Sequence, residues 1–413
     1  LKPSIMPLNI KLRHRLSSYP IKWIFGFLSC LIPWVTRKKS GLVVLTSFHG
    51  EGYRGNTKVI FEALQSDTYT HIGLTGIWLS TNPSIVQDLN SRYGADVAAN
   101  MYSFKALIKL AQAEYILLTH GITDYPFLCL PSRAVIVQTY HGLPTKRGER
   151  FRLDGQEPLS RLEDRYYSRV YDPIDIFLSS SDFVSDIFHK RFGIAREKFH
   201  ITGYPAYDRL NHLEIDHEFV FKLHSEADSD TKIVLYAPTF RSKNPTRLFP
   251  FDDVDVDRIH HFLTKNNLVI AIRVHPNEKL NIAPYLGWSD RIIDAGDKII
   301  EDVTDLIVNS CCIITDYSSV YLEGLQRDIP CIFIPYDLNE YERGLPFDYN
   351  AMAPGPKVSD SDQFLDALDQ CIENGLKSYS AQRNIVRDLV FNHMDAGATG
   401  RVLELIRNHV SSN

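Results

Sequence analysis

The stretch Cys311-Cys312-Ile313-Ile314-Thr315-Asp316-Tyr317-Ser318-Ser319 ends an apolar run abruptly in small hydroxyl residues, and the helix-like segment Val320 to Leu325 follows it. This pattern predicts a buried strand that feeds a helix carrying two serines in its first turn. The leading N–H groups of such a helix lack backbone partners and sit at the positive end of its dipole, which suits a phosphate. The same residues also fit plain capping, since serine and aspartate commonly close strand–helix junctions. Histidine-bearing and basic strand ends elsewhere in the chain favour the first reading.

Working outward, short β-branched runs alternate with amphipathic stretches. Strands are predicted at Leu42–Thr46, His71–Leu79, Tyr115–Thr119, Ala134–Thr139, Asp175–Ser179 and His200–Thr202, with helices at Thr57–Ser66, Ser103–Ala113 and Asp182–Phe192. A polar, acidic stretch from His212 to Asp230 marks a joint. A second series then runs through Lys232–Ala237, Leu268–Val274, Arg291–Asp294, Cys312–Thr315 and Cys331–Pro335, and Ser361 to Asn413 reads as covering helices. Such alternation predicts a parallel sheet with helices on both faces, here twice. The expected division is a basic segment over 1–40, α/β domains over 41–212 and 213–380, and C-terminal bracing helices over 381–413. Parallel sheets bind ligands outside the carboxyl ends of their strands, so two facing domains make one cleft.

Charge is distributed unevenly along the 413 residues. The net charge is −5, yet residues 1–40 hold eight Lys/Arg and no Asp or Glu, so the remainder carries −13. An acidic body with a basic head argues against nucleic acid as a partner and for an anionic membrane surface. Ile21 to Val35 is apolar but too short and interrupted to span a bilayer. Trp23 and Trp34 near its ends suit a segment lying in the interface, while a signal peptide and a helix packed on the body remain open alternatives. The six cysteines show no metal-ligand or redox spacing, and reduced thiols in a cytosolic setting are expected.

Candidate site residues fall at strand ends. His141 follows Ala134–Tyr140, with Gly142 for a tight turn, Pro144 for a stiff exit, and the cations Lys146 and Arg147 close behind. His275 ends Leu268–Val274 in the second series. Two histidines at equivalent places in two domains would face one cleft; each alone is also compatible with an ordinary loop position. Thr239 and Arg241 end the first strand of the second series, and a guanidinium there can clamp phosphate oxygens. His120-Gly121 and Ser47 to Gly52 follow strands too, the latter reading chiefly as exposed loop. Asp253-Val254-Asp255-Val256-Asp257 looks like a metal-holding DxD motif, but it precedes the helical stretch Arg258–Thr264 and reads as a helix cap. No metal site, P-loop or GxGxxG is expected.

Taken in order, these segments make the chain resemble the CDP-glycerol glycerophosphotransferase family, the teichoic-acid primases and polymerases with their relatives in capsule synthesis. The resemblance rests on Tyr140–Gly148 (the HG-x-P-x-K motif), Ile201–Pro205 with Asp208, Tyr236–Arg241, Arg273–Pro276, Ile314–Ser319, Ile334–Tyr341, Ala353–Pro356 and Leu42–Gly50. It implies the GT-B architecture of two facing Rossmann-like domains. It further implies a CDP-glycerol or similar CDP-polyol donor, a lipid-linked or growing polymer acceptor, release of CMP, no separate cofactor, and a peripheral position on the cytoplasmic face of the membrane. By position, Ser318 and Ser319 would receive the pyrophosphate, helped by Thr239, Arg241 and His275, and Glu323 would reach the ribose hydroxyls. His141 would act as the base, with Lys146 and Arg147 near an acceptor phosphate. The chain departs from the family pattern at Ala206-Tyr207, where Arg-Asn is usual, and at Ser242, where an Asp often stands. Alternatives within the same architecture are a nucleotide-sugar glycosyltransferase and a CDP-ribitol-dependent transferase.

Overall fold

The computed structural model describes residues 19–148, 150, 159–241, 245–275, 278, 280–341 and 343–410. Lys2, Lys11, Arg13, Arg15, Ser242 and Pro276 lie outside the described residues.

Twelve strands form two sheets among these residues. Strands β1 (Leu42–Leu45), β2 (Thr75–Ser80), β3 (Ala98–Asn100), β4 (Tyr115–Leu118), β5 (Val135–Gln138), β6 (Ile176–Ser179) and β7 (Phe199–Ile201) build the first. Its order is β3-β2-β1-β4-β5-β6-β7. Strands β8 (Lys232–Tyr236), β9 (Leu268–Ile272), β10 (Ile292–Asp294), β11 (Ser310–Thr315) and β12 (Cys331–Phe333) build the second, ordered β10-β9-β8-β11-β12. All pairs are parallel. The apolar runs explain this: Leu42 to Leu45 and Leu268 to Ile272 are fully buried, as strands covered on both faces must be. In each sheet the order reverses beside its first strand, between β1 and β4 and between β8 and β11. Such reversal points open the crevices where α/β sheets bind ligands.

The predicted strand at His71–Leu79 begins later, at Thr75. Asp67–Ile72 forms 3-10 turns, and Gly73 (φ 74°) reverses the chain before the strand. Strand β3 and the helices Pro83–Tyr93 and Arg161–Tyr171 carry weaker sequence signals; Ala98-Ala99-Asn100 has little β-propensity and is held by pairing with β2. Helix starts follow their caps: Ser103, Ser181, Asp255 and Asp360 each accept a backbone N–H in the following turn. Asp255 thereby caps the helix Val256–Lys265, and Asp253 accepts the Ser361 N–H, so the DxD-like run is structural.

C-terminal helices run back across the molecule. Ser380–Val390 packs on Val320–Leu325 of the second half and Asp182–Phe192 of the first, while Ala398–Val410 rests on Gly55–Leu64 and Pro205–His212. Asp208 fastens that last helix by accepting the Ala398 and Thr399 N–H groups.

The helix Tyr19–Val35 lies on Phe104–Gln112. Gly26 leaves no room for a Cβ against the Phe127 carbonyl, and Ser29 Oγ accepts the Cys129 N–H at 2.8 Å. Cys30 and Cys129 are joined as a disulfide, which corrects the expectation of six reduced thiols. Their separation of 99 residues leaves no local spacing to read. Among the described residues no helix is long and apolar enough to cross a membrane.

Candidate active site

Each half fixes its two innermost strand ends with one buried aspartate. In the first, Asp124 accepts the His49 N–H (2.8 Å), the His120 N–H (2.9 Å), the Thr119 N–H and the Thr119 hydroxyl (2.9 Å). This ties the loop after β1 to the loop after β4. In the second, Asp316 accepts the Thr239 N–H (2.8 Å) and the Tyr317 N–H (2.6 Å), tying the loop after β8 to that after β11. Both carboxylates are essentially inaccessible to solvent, so these bonds act at low dielectric. The parallel roles place the reversal-point loops of both sheets on one cleft of about 850 Å³.

His141, Lys146, Thr239, His275, Ser318 and Ser319 all line it. The halves approach closely: the Cβ direction at Gly142 reaches Ser319 Oγ at 3.8 Å. Ser318 Oγ also stands 3.5 Å from the Val320 N–H, so a capping contact and a place on the cleft wall coincide. Thr239 Oγ1 is buried on that wall and has no hydrogen-bond partner among the described residues.

His141 Nδ1 lies 3.0 Å from the Thr119 carbonyl. A carbonyl only accepts, so Nδ1 carries the proton and Nε2 keeps its lone pair. The ring stacks on His120 at 3.8 Å and 5°; His120 in turn meets His49 at 4.7 Å. His141 is exposed to the cleft, whose enclosing walls leave it less hydrated than a side chain on an open surface. That desolvation, then the neighbouring His120, pushes its pKa down to about 3. Desolvation, then His49 and Arg54, takes His120 down to about 4. His275 is also lowered, by desolvation and then by Lys146 and Arg343. All three imidazoles are therefore neutral near pH 7. Backbone strain concentrates here as well: Phe48 (φ 50°), His49 (φ 60°) and Tyr140 (φ 55°) sit in the left-handed region. Buried Asn56 holds the last of these turns, donating to the Thr139 and Tyr140 carbonyls.

Three expected site residues lie elsewhere. Arg241 does not line the cleft; it is buried between Asp316 (2.8 Å) and Asp337 (2.6 Å) and donates to the Thr239 carbonyl. Its phosphate-clamp geometry is spent on these carboxylates. Arg147 donates from Nε to the Leu345 carbonyl at 2.7 Å and ties the halves at the rim. Glu323 projects from the helix away from the cleft, against Tyr207. Burial and then Asp302 raise its carboxyl to about 8.

Conversely, the structure adds Arg54, Arg191 and Arg343 to the lining, and gives His49 and His120 a place there. Arg191 stands in the last turn of Asp182–Phe192, where a basic residue usually answers the helix dipole. Nothing in its spacing points to a site. Among the described residues the lining carries four Lys/Arg against a single carboxylate, Glu51. An acidic body thus encloses a cationic cleft, which concentrates anions there.

Two parallel sheets closing their carboxyl edges on a cationic, histidine-lined cleft define an α/β protein that binds an anionic ligand at its sheets' reversal points. The family model for CDP-Glycerol:Poly(glycerophosphate) glycerophosphotransferase matches residues 28–408. The chain belongs to this family of transferases. It is 27% identical to the teichoic acid glycerol-phosphate transferase of Staphylococcus aureus (strain NCTC 8325 / PS 47), covering 88% of this chain and 92% of that one. It is 26% identical to the teichoic acid glycerol-phosphate primase of Bacillus subtilis (strain 168), over 93% and 97% of the two chains. Against the teichoic acid poly(glycerol phosphate) polymerase of the same strain, the match is 26% and spans 47% of the relative. The structure of the wall teichoic acid polymerase TagF superposes with a TM-score of 0.74 at 23% identity, over 97% of each chain. A TagF structure soaked with CDPG superposes at 0.72.

Proposed function

We propose that this protein transfers glycerol phosphate, or a similar polyol phosphate, from a CDP-activated donor to a hydroxyl of a lipid-linked or growing teichoic-acid-like or capsular polymer. The observation that carries the chemistry is the His141 tautomer: a neutral imidazole with its Nε2 lone pair available, on the same cleft as Ser318 and Ser319. In this reading the acceptor hydroxyl oxygen attacks the phosphorus that bears the glycerol. A new P–O bond forms, the bond to the CMP oxygen breaks, and His141 Nε2 takes the hydroxyl proton. Such a base contributes roughly 10² to 10⁴ in rate. His275, Thr239 and the Ser318–Ser319 turn face the departing phosphate and stabilise its growing charge. An anionic donor also raises the His141 pKa on arrival, making it a better proton acceptor in the loaded enzyme.

In this reading residues 41–212 receive the acceptor and 213–380 the donor. Residues 1–40 hold the protein against an anionic membrane on the cytoplasmic face. Ile21, Trp23, Ile24, Phe27, Leu31 and Trp34 are exposed on the helix Tyr19–Val35, and the surrounding segment carries eight cations and no acid.

A CDP-ribitol donor is the second reading, favoured by 26% identity to a teichoic acid ribitol-phosphate polymerase, TarL, of Staphylococcus aureus. Mass analysis of products from the purified protein, a synthetic acceptor and a panel of CDP-polyols and UDP-sugars tests both. Release of CMP with addition of one polyol phosphate supports transfer of this type, and the reactive polyol names the donor. Release of UDP with sugar addition would replace the proposal by ordinary glycosyl transfer.

A further inference from the structure

The described residues that line the cleft carry more positive charge than a donor with two ionised phosphates neutralises. Among the described lining residues, Arg54, Lys146, Arg191 and Arg343 stand with one carboxylate, Glu51, a surplus of three positive charges with the imidazoles neutral. Other guanidiniums are matched by acids, as Arg209 by Asp302 and Asp305, Arg383 by Asp328 and Arg401 by Asp395, or by backbone carbonyls, as Arg147, Arg273 and Arg327. Among the described residues, Lys146, Arg191 and Arg343 have no carboxylate at ion-pair distance.

These three cations converge from separate elements. Arg191 Nη1 donates to the Lys146 carbonyl at 3.1 Å, and its guanidinium lies over the Phe192 ring at 5.1 Å. Its Nε is buried without a hydrogen-bond partner among the described residues. Arg343 arrives from the second half and covers the Phe240 ring at 5.7 Å. Burial, then Arg343 and Arg191, pushes the Lys146 ammonium down to about 8. Like charges held together in a partly dehydrated wall repel one another, and a bound anion relieves that repulsion.

Resting on the transfer reaction proposed above, we infer that Lys146, Arg191 and Arg343 form an acceptor subsite. It takes the phosphodiester anion that neighbours the attacking hydroxyl. The donor diphosphate supplies two negative charges and the chain end supplies the third, which matches the surplus. Because Arg343 belongs to the second half and the other two to the first, the subsite is complete only when both halves face the cleft. Its interaction with the acceptor is non-covalent and leaves the reacting bonds unchanged.

Calorimetry on the full chain and its Arg191→Gln and Arg343→Gln variants tests this without requiring turnover. CDP-glycerol is titrated first. Protein saturated with CMP is then titrated with glycerophosphoglycerol, a diester with free hydroxyls, and with neutral diglycerol. Wild type should prefer the diester, and each variant should lose about 10- to 100-fold in diester affinity, as loss of one charge-assisted bond implies, while CDP-glycerol affinity holds within about twofold. An equal loss of CDP-glycerol affinity would assign the cluster to the donor instead. No wild-type preference for the diester would remove the subsite. CMP release by wild type reports separately on the transfer reaction itself.

Discussion

At His141 one hydrogen bond decides which ring nitrogen keeps its lone pair. Donation from Nδ1 to the Thr119 carbonyl decides which nitrogen is basic, and the stacked His120 ring disfavours a proton on it. Replacing His120 by Phe keeps the stack and the exclusion of water but removes the neighbouring titratable ring. The His141 pKa should then rise, and the acid limb of the kcat/KM profile should move to higher pH. An unmoved limb, or one displaced to lower pH, would show that His120 does not act on the base. His141 was legible because a glycine turn follows an apolar run; its stacking partner was visible only as a weaker strand-end histidine. Arg241 misled for an opposite reason. A strand-end guanidinium looks available until the fold delivers Asp316 and Asp337 to it from far along the chain.

At the scale of elements, that buried trio joins β8, β11 and the segment after β12. Removing its cation leaves two carboxylates uncompensated in the interior, a change that costs about 3–5 kcal/mol. Arg241→Ala should therefore unfold at a markedly lower urea concentration than wild type. An unchanged urea midpoint would show that the trio is not a brace. The N-terminal helix makes a different prediction. One face is pinned through Gly26, Ser29 and Cys30, and the other presents Phe27 and Trp34, the latter 87% exposed. Co-sedimentation with vesicles containing anionic lipid should fall strongly in a Phe27→Glu, Trp34→Glu double variant, and should weaken with salt in wild type. Equal sedimentation of both proteins would exclude this face as the membrane contact. The strands were readable because burial on both sides leaves continuous apolar runs. Strand β3 was not, since edge pairing rather than composition creates it. The disulfide was equally hidden, because only tertiary packing brings Cys30 to Cys129.

The whole molecule works by opposition. Two sheets of the same handed order present their reversal points to each other, each stiffened by one buried aspartate, Asp124 or Asp316. Cross-ties hold that register: Arg147 to the Leu345 carbonyl, and Arg209 to Asp302 and Asp305. The sequence announced a two-sheet α/β protein and a cleft with a histidine from each side. It did not announce the cations Arg54, Arg191 and Arg343, whose convergence depends on how helices and loops pack around that cleft. The proposed transfer rests on His141 as the proton acceptor opposite a donor held by the second sheet. The most direct measurement pairs calorimetric binding of CDP-glycerol with CMP release in His141→Ala. Donor affinity within about twofold of wild type, with release slowed roughly 10²- to 10⁴-fold, is the predicted result. Release at the wild-type rate would contradict it.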